Sequence, residues 1–376
     1  ENLAHYWSDN VCCRTSPPEA LVAEPDEDLT GSHSRAAAEL RRSPAFHATR
    51  PHAVEDLLAV PPPLEQPVVF ERRYGPREEA DSSPDGAYAR GDVKRPEHCR
   101  DGPRAPGSSH VIVLVHGFQG TAFDLRLMKN NIALLYPEAI CLCSATNEDD
   151  TEGNIERMGE RLAAEVRNFV QDWCCEESTA ETALGRLSFI AHSVGGIIAR
   201  AALPLLGEFH GRMHTFMSFS SPHLGYMYSP SSVIKAGLWV TKKVKKSTCL
   251  EQLCLTDCAD TGSCFLNRLS ELPGLEHFQH VVLMSSYQDH YAPFESARIE
   301  MPRAAEADSK LGPCYAKMLR NILGPLKAER VLRLDVDFHI PETTIDSVIG
   351  RTAHIQFIDN QSLMKILVQT HGFLFE

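Results

Sequence analysis

Leu187-Ser188-Phe189-Ile190-Ala191-His192-Ser193-Val194-Gly195-Gly196 is an apolar run that ends at a serine with small residues two places before and two places after it. The run reads as a strand, the serine as a sharp turn, and the segment that follows as a helix. A serine on such a turn has a strained backbone and an exposed hydroxyl, so strand and helix must approach closely, and Ala191 and Gly195 leave room for that. The helix after the turn aims its first N–H groups at the site, where they favour negative charge on a reacting oxygen. Ser193 is therefore the candidate nucleophile. The bare five-residue pattern also occurs by chance, so the reading depends on what surrounds it.

Upstream, His110 to Val115 contains five consecutive apolar residues, as expected of a strand buried on both faces. It runs into His116-Gly117-Phe118-Gln119-Gly120, a glycine-flanked loop placed to supply a backbone N–H to an oxyanion. The expected donors are the N–H of Phe118 and that of Val194, with His116 orienting the loop. Downstream, an acid and then a histidine should follow the serine in chain order. Val281 to Met284 reads as a strand leading into Ser285-Ser286-Tyr287-Gln288-Asp289-His290, which makes Asp289 the candidate acid; Asp335 and Asp337 lie inside a strand and fit less well. Among the histidines beyond it, His290 stands too close to the acid. His339, next to the strand Val331 to Phe338, and His354 both satisfy the order, and topology leaves the base open between them.

From Ser108 onward, strand-length apolar runs alternate with helix-length amphipathic segments, the pattern of a mostly parallel sheet covered by helices. Ala139 to Ser144 and Thr215 to Phe219 are further strands, and Gln361 to Gln369 is a closing helix. Ile155, Met158, Leu162, Val166, Phe169 and Trp173 recur at helical spacing and predict a helix packed on the sheet. Residues 1–107 are rich in Pro, Ser and charge without a hydrophobic period and read as low-complexity linker, with Val68-Val69-Phe70 as a candidate edge strand. The chain starts at Glu1 rather than Met and reads as part of something longer. No stretch reaches the roughly 18 apolar residues of a membrane-spanning helix. A net charge of −13 repels phosphate backbones and argues against nucleic acid as a partner. The twelve cysteines are scattered and lack CxxC pairs at metal-ligand spacing, which predicts reduced, buried thiols, a cytoplasmic setting and no metal.

Four stretches together carry a resemblance: Val115-His116-Gly117-Phe118, Ala191-His192-Ser193-Val194-Gly195-Gly196, Ser220-Ser221-Pro222-His223-Leu224-Gly225 and Arg351-Thr352-Ala353-His354-Ile355. Across about Ser108 to Phe375 the chain resembles the lipase-like serine esterases of the α/β-hydrolase superfamily, particularly eukaryotic members with the domain at the C-terminal end of a long chain. The resemblance implies an α/β-hydrolase domain over residues 108–376 and turns the choice of base to His354, leaving His339 as the alternative. It implies a carboxylic ester substrate, small or lipid, cleaved without cofactor. Ala191 departs from the glycine of many lipases. Residues 226–280 exceed an ordinary connection and are expected to form a lid, whose apolar segment beside Lys242-Lys243-Val244-Lys245-Lys246 suits peripheral contact with an anionic membrane. The competing readings are a catalytically silent hydrolase-fold module for protein or membrane binding, and an amidase or thioesterase using the same residues.

Overall fold

The computed structural model describes residues 67–73, 109–175, 184–229, 247–340 and 346–376. The strands are β1 (Val68–Arg73), β2 (Ser109–Val115), β3 (Ala139–Cys143), β4 (Leu184–His192), β5 (Met213–Phe219), β6 (His280–Ser285) and β7 (Val331–Asp337). They form one sheet in the order β1-β7-β6-β5-β4-β2-β3. Among the described strands only β1 is antiparallel; it pairs with β7 from Val68↔Asp337 to Arg73↔Leu332, so the expected edge strand is present and runs three residues further. Helices cover both faces: α1 (Arg126–Leu135), α2 (Ile155–Cys175), α3 (Gly195–Ala202), α4 (Thr248–Leu253), α5 (Phe265–Glu271), α6 (Phe294–Arg298), α7 (Arg303–Ala307), α8 (Gly312–Leu323), α9 (Asp346–Asp359) and α10 (Gln361–Thr370). This is the α/β-hydrolase architecture.

The continuous apolar runs are explained by two cores, one on each side of the sheet. Successive side chains point to opposite faces, so Val111, Val113, Val115, Phe189 and Ala191 join one core while Ile112, Leu114 and Ile190 join the other. The first core takes in α2, α3, α5 and α8, and the second takes in α1, α9 and α10. On α2 the buried stripe follows Ile155, Met158, Leu162, Val166 and Val170. Its last turns differ from the sequence expectation, because 3.6 residues per turn carry the stripe to Val170. Phe169 is only partly buried, and Trp173, half-exposed, stacks on it at 6.4 Å between ring centroids.

The described part of the insertion, residues 226–229 and 247–280, packs against the rest of the domain. Cys249, Leu253, Cys264, Phe265, Leu266 and Leu269 are buried in the first core, and Ser247 and Cys249 bond the carbonyl of Glu152. The apolar and lysine-rich stretch of 230–246, to which the membrane expectation belongs, lies outside the described residues, as do 1–66 and 74–108. Among the described residues no helix is long and apolar enough to cross a membrane.

Candidate active site

Ser193 stands at the C-terminal end of β4, the strand flanked by β2 and β5, and its φ of 55° is in the left-handed region. A non-glycine residue there is strained by crowding between Cβ and the backbone, and the surroundings must hold it in place. They do so through the Ser193 N–H, which donates to Phe219 O at 2.9 Å, and through the start of α3. A Cβ at Gly195 would stand 2.4 Å from Val115 O, so only glycine lets the helix press against the end of β2. The loop after β2 closes on the same point: a Cβ at Gly117 would lie 2.8 Å from Ser193 Cβ. Gln119 (φ 52°) fixes that loop by donating its N–H to Thr151 Oγ1 at 2.9 Å. The N–H groups of Phe118 and Val194 have no acceptor among the described residues. Backbone donors left over at a buried turn are available to an incoming oxygen.

Asp289 follows β6, and its side chain is fully buried. Its Oδ1 accepts from the N–H of Tyr291 at 2.7 Å and of Ala292 at 3.2 Å, and its Oδ2 accepts from the Ser220 hydroxyl and, at 2.6 Å, from His354 Nδ1. A carboxylate with its lone pairs so engaged holds one fixed orientation. His354 sits within α9, the helix before α10, and its ring lies 5.6 Å from that of Tyr291. The structure therefore brings Asp289 together with His354. It leaves His339 exposed just beyond β7. Asp335, on β7, is engaged with Arg298. With Nδ1 committed to Asp289, Nε2 is the His354 nitrogen left for proton transfer.

The other motif histidines are occupied elsewhere. His116 is buried with Nδ1 3.1 Å from Gly117 O. His223 Nε2 meets Ser218 Oγ at 2.9 Å, its carbonyl accepts from the buried Arg200, and burial pushes its imidazole well below the usual range. Two contributors had no signal of their own in the sequence. Ser220, with φ 49° after β5, bonds the acid, and His192 places Nε2 3.0 Å from the carbonyl of His354.

Away from this cluster, Asp257, Cys258 and Cys264 bring ligand atoms within 4.8 Å of one another, the one such group among the described residues. Asp257 Oδ2 is committed to the N–H of Phe265 at the start of α5, and burial pushes the Cys264 thiol up to about 11. That environment favours a protonated thiol at Cys264 over a metal-binding thiolate.

A family model described as "Putative serine esterase (DUF676)" matches residues 106–304, just over half of the 376. The chain belongs to this family. The match takes in the Phe118 loop, Ser193 and Asp289, whereas His354 lies beyond it. Among solved structures, this family member is similar to a hydrolase from Oleispira antarctica at 15% identity and TM-score 0.37, covering 71% of this chain and 92% of that one. It is similar to Aspergillus fumigatus lipase B at 12% identity and TM-score 0.37, covering 71% and 61%. It is also similar to phospholipase PlaB of Legionella pneumophila at 14% identity and TM-score 0.33, covering 47% of this chain and only 38% of the phospholipase. Likeness at this level carries nothing about substrate.

Proposed function

We propose that this family member cleaves carboxylic esters through an acyl-enzyme on Ser193. His354 Nε2 takes the hydroxyl proton as Ser193 Oγ attacks the ester carbonyl, and Asp289 holds the imidazole in the tautomer that leaves Nε2 free to accept. The tetrahedral oxygen is held by the N–H groups of Phe118 and Val194; loss of one such donor typically costs about 10²- to 10³-fold in rate. His354 then returns the proton to the departing alkoxide. In the second half, water attacks the acyl group by the same route and releases the acid.

The observation that carries this reading is the meeting of separate strand ends. A serine strained to φ 55° is preceded by a residue whose side chain bonds the His354 backbone, and His354 Nδ1 stands 2.6 Å from Asp289 Oδ2. Phe123, in the loop after β2, and Tyr287, two residues before Asp289, are large and each 68% exposed, and such apolar surface suits an acyl group. The test is labelling by a fluorophosphonate together with hydrolysis of a short activated ester. The parent should do both, and Ser193→Ala neither, at an unchanged thermal midpoint. Turnover or labelling retained by Ser193→Ala removes the assignment, and turnover of amides or thioesters in preference to esters moves it to those substrates.

A further inference from the structure

The nucleophile and the base come from distant parts of the chain, and one hydrogen bond ties the side chain of the residue before the nucleophile to the backbone of the base. His192 immediately precedes Ser193 and is buried, 6% exposed. Its Nε2 lies 3.0 Å from the carbonyl oxygen of His354, and the two imidazole rings are 4.7 Å apart between centroids. A carbonyl only accepts, so Nε2 must carry the proton. A carbonyl oxygen has two lone pairs, so this one accepts from His192 without giving up a place in α9. Burial, with His354 close by, pushes the His192 imidazole down to about 3. The donor therefore stays neutral, and in one tautomer, while His354 gains and loses its proton in each half-reaction.

We propose that His192 is a positioning residue for the base: its Nε2–H clamps the turn of α9 that carries His354 to the end of the strand that carries Ser193. This rests on the reading of Ser193 and His354 as nucleophile and base. Asp289 fixes the rotation of the His354 ring, whereas His192 fixes the place of the His354 backbone relative to the nucleophile. The two constraints differ: Ala353 and Phe357 seat α9 in the second core, and the His192 bond sets the last fraction of its position relative to the nucleophile. A displacement of about 1 Å at a reacting group can cost on the order of 10²-fold in rate.

The experiment compares His192→Leu, which keeps bulk and removes the donor, with His192→Gln, whose side-chain amide offers an N–H at a similar reach. His192→Leu should lower kcat by about 10- to 100-fold with KM nearly unchanged, since the contact touches the base and not the substrate. His192→Gln should restore most of kcat. Parent-like kcat in the Leu variant, or equal losses in both variants, overturns the proposal. The parent protein gives a readout independent of folding in either variant: nitrogen-15 NMR of its histidines should show His192 as the Nε2–H tautomer throughout the titration of His354. An Nδ1–H tautomer, or averaging between the two, overturns the clamp whatever the activity. The tautomer present without Ser193-dependent turnover keeps the clamp and rejects the esterase reading.

Discussion

Ser193 and Ser220 occupy the same structural position on neighbouring strands and have been put to different uses. Each follows the last residue of a parallel strand, and those last residues, His192 and Phe219, are partners in register. Each has a left-handed backbone, φ 55° and 49°, and each hands its N–H one strand along the sheet, to Phe219 O at 2.9 Å and to Met284 O at 2.8 Å. Their hydroxyls separate them. That of Ser220 is bonded to Asp289 Oδ2, whereas that of Ser193 has no hydrogen-bond partner among the described residues and stands by the two leftover N–H groups. In an unliganded site the bond from nucleophile to base is often long and tightens only with substrate. In the proposed reading the strained turn alone does not make a nucleophile; the loop after β2 and the helix-borne histidine complete it.

This comparison breaks most readily at the histidine. If Asp289 serves Ser193 through His354, then His354→Ala should lower kcat/KM for a short ester by several powers of ten, as expected for a triad member. His339→Ala, altering an exposed side chain, should stay within about threefold, the scale of a surface change away from the chemistry. Steady-state kinetics on the two variants decides, and the reverse pattern moves the base to His339. A smaller effect belongs to Ser220→Ala. The Ser220 hydroxyl shares Asp289 Oδ2 with His354 Nδ1, so its loss loosens the acid without removing it, and kcat should fall by about 30-fold, within the range of a misplaced catalytic group. A fall as large as that of Ser193→Ala would make the two serines equivalent and end the comparison.

The sequence disclosed the elements whose signals are local. Five apolar residues in a row before His116, and four between Leu187 and Ala191, announce strands covered on both faces, and Ala191 and Gly195 announce the tight turn. Helix α9 was not announced. Gly350 lies inside it, where a Cβ would meet His290 at 2.4 Å, and Thr352 and Ile355 are branched at Cβ, so intrinsic propensity runs against the helix. Burial of Ala353 and Phe357 in the second core supplies what propensity does not. For the same reason chain order left His339 and His354 tied: the choice between them depends on where α9 docks, a tertiary fact. Ser220 and His192 both lay in quoted motifs, but their partners are 69 and 162 residues away, and no spacing rule reaches that far.

The finest distinction between the two serines lies in stability. Replacing a left-handed serine by glycine relieves a strain of about 1 kcal/mol, partly offset by the greater freedom of glycine in the unfolded chain. At Ser193 little opposes that relief, since no hydrogen bond of the hydroxyl is lost, and Ser193→Gly should melt at or slightly above the parent. At Ser220 the same substitution also removes a hydrogen bond to a buried carboxylate, worth about 1.5 kcal/mol or somewhat more. Ser220→Gly should therefore melt below the parent even though its backbone is relaxed to the same degree. Thermal midpoints measured at one pH and salt concentration give the comparison directly. Shifts of equal size and sign at both positions would mean that the Ser220–Asp289 bond contributes nothing to the fold, and would leave ordering of the acid as the whole of its role.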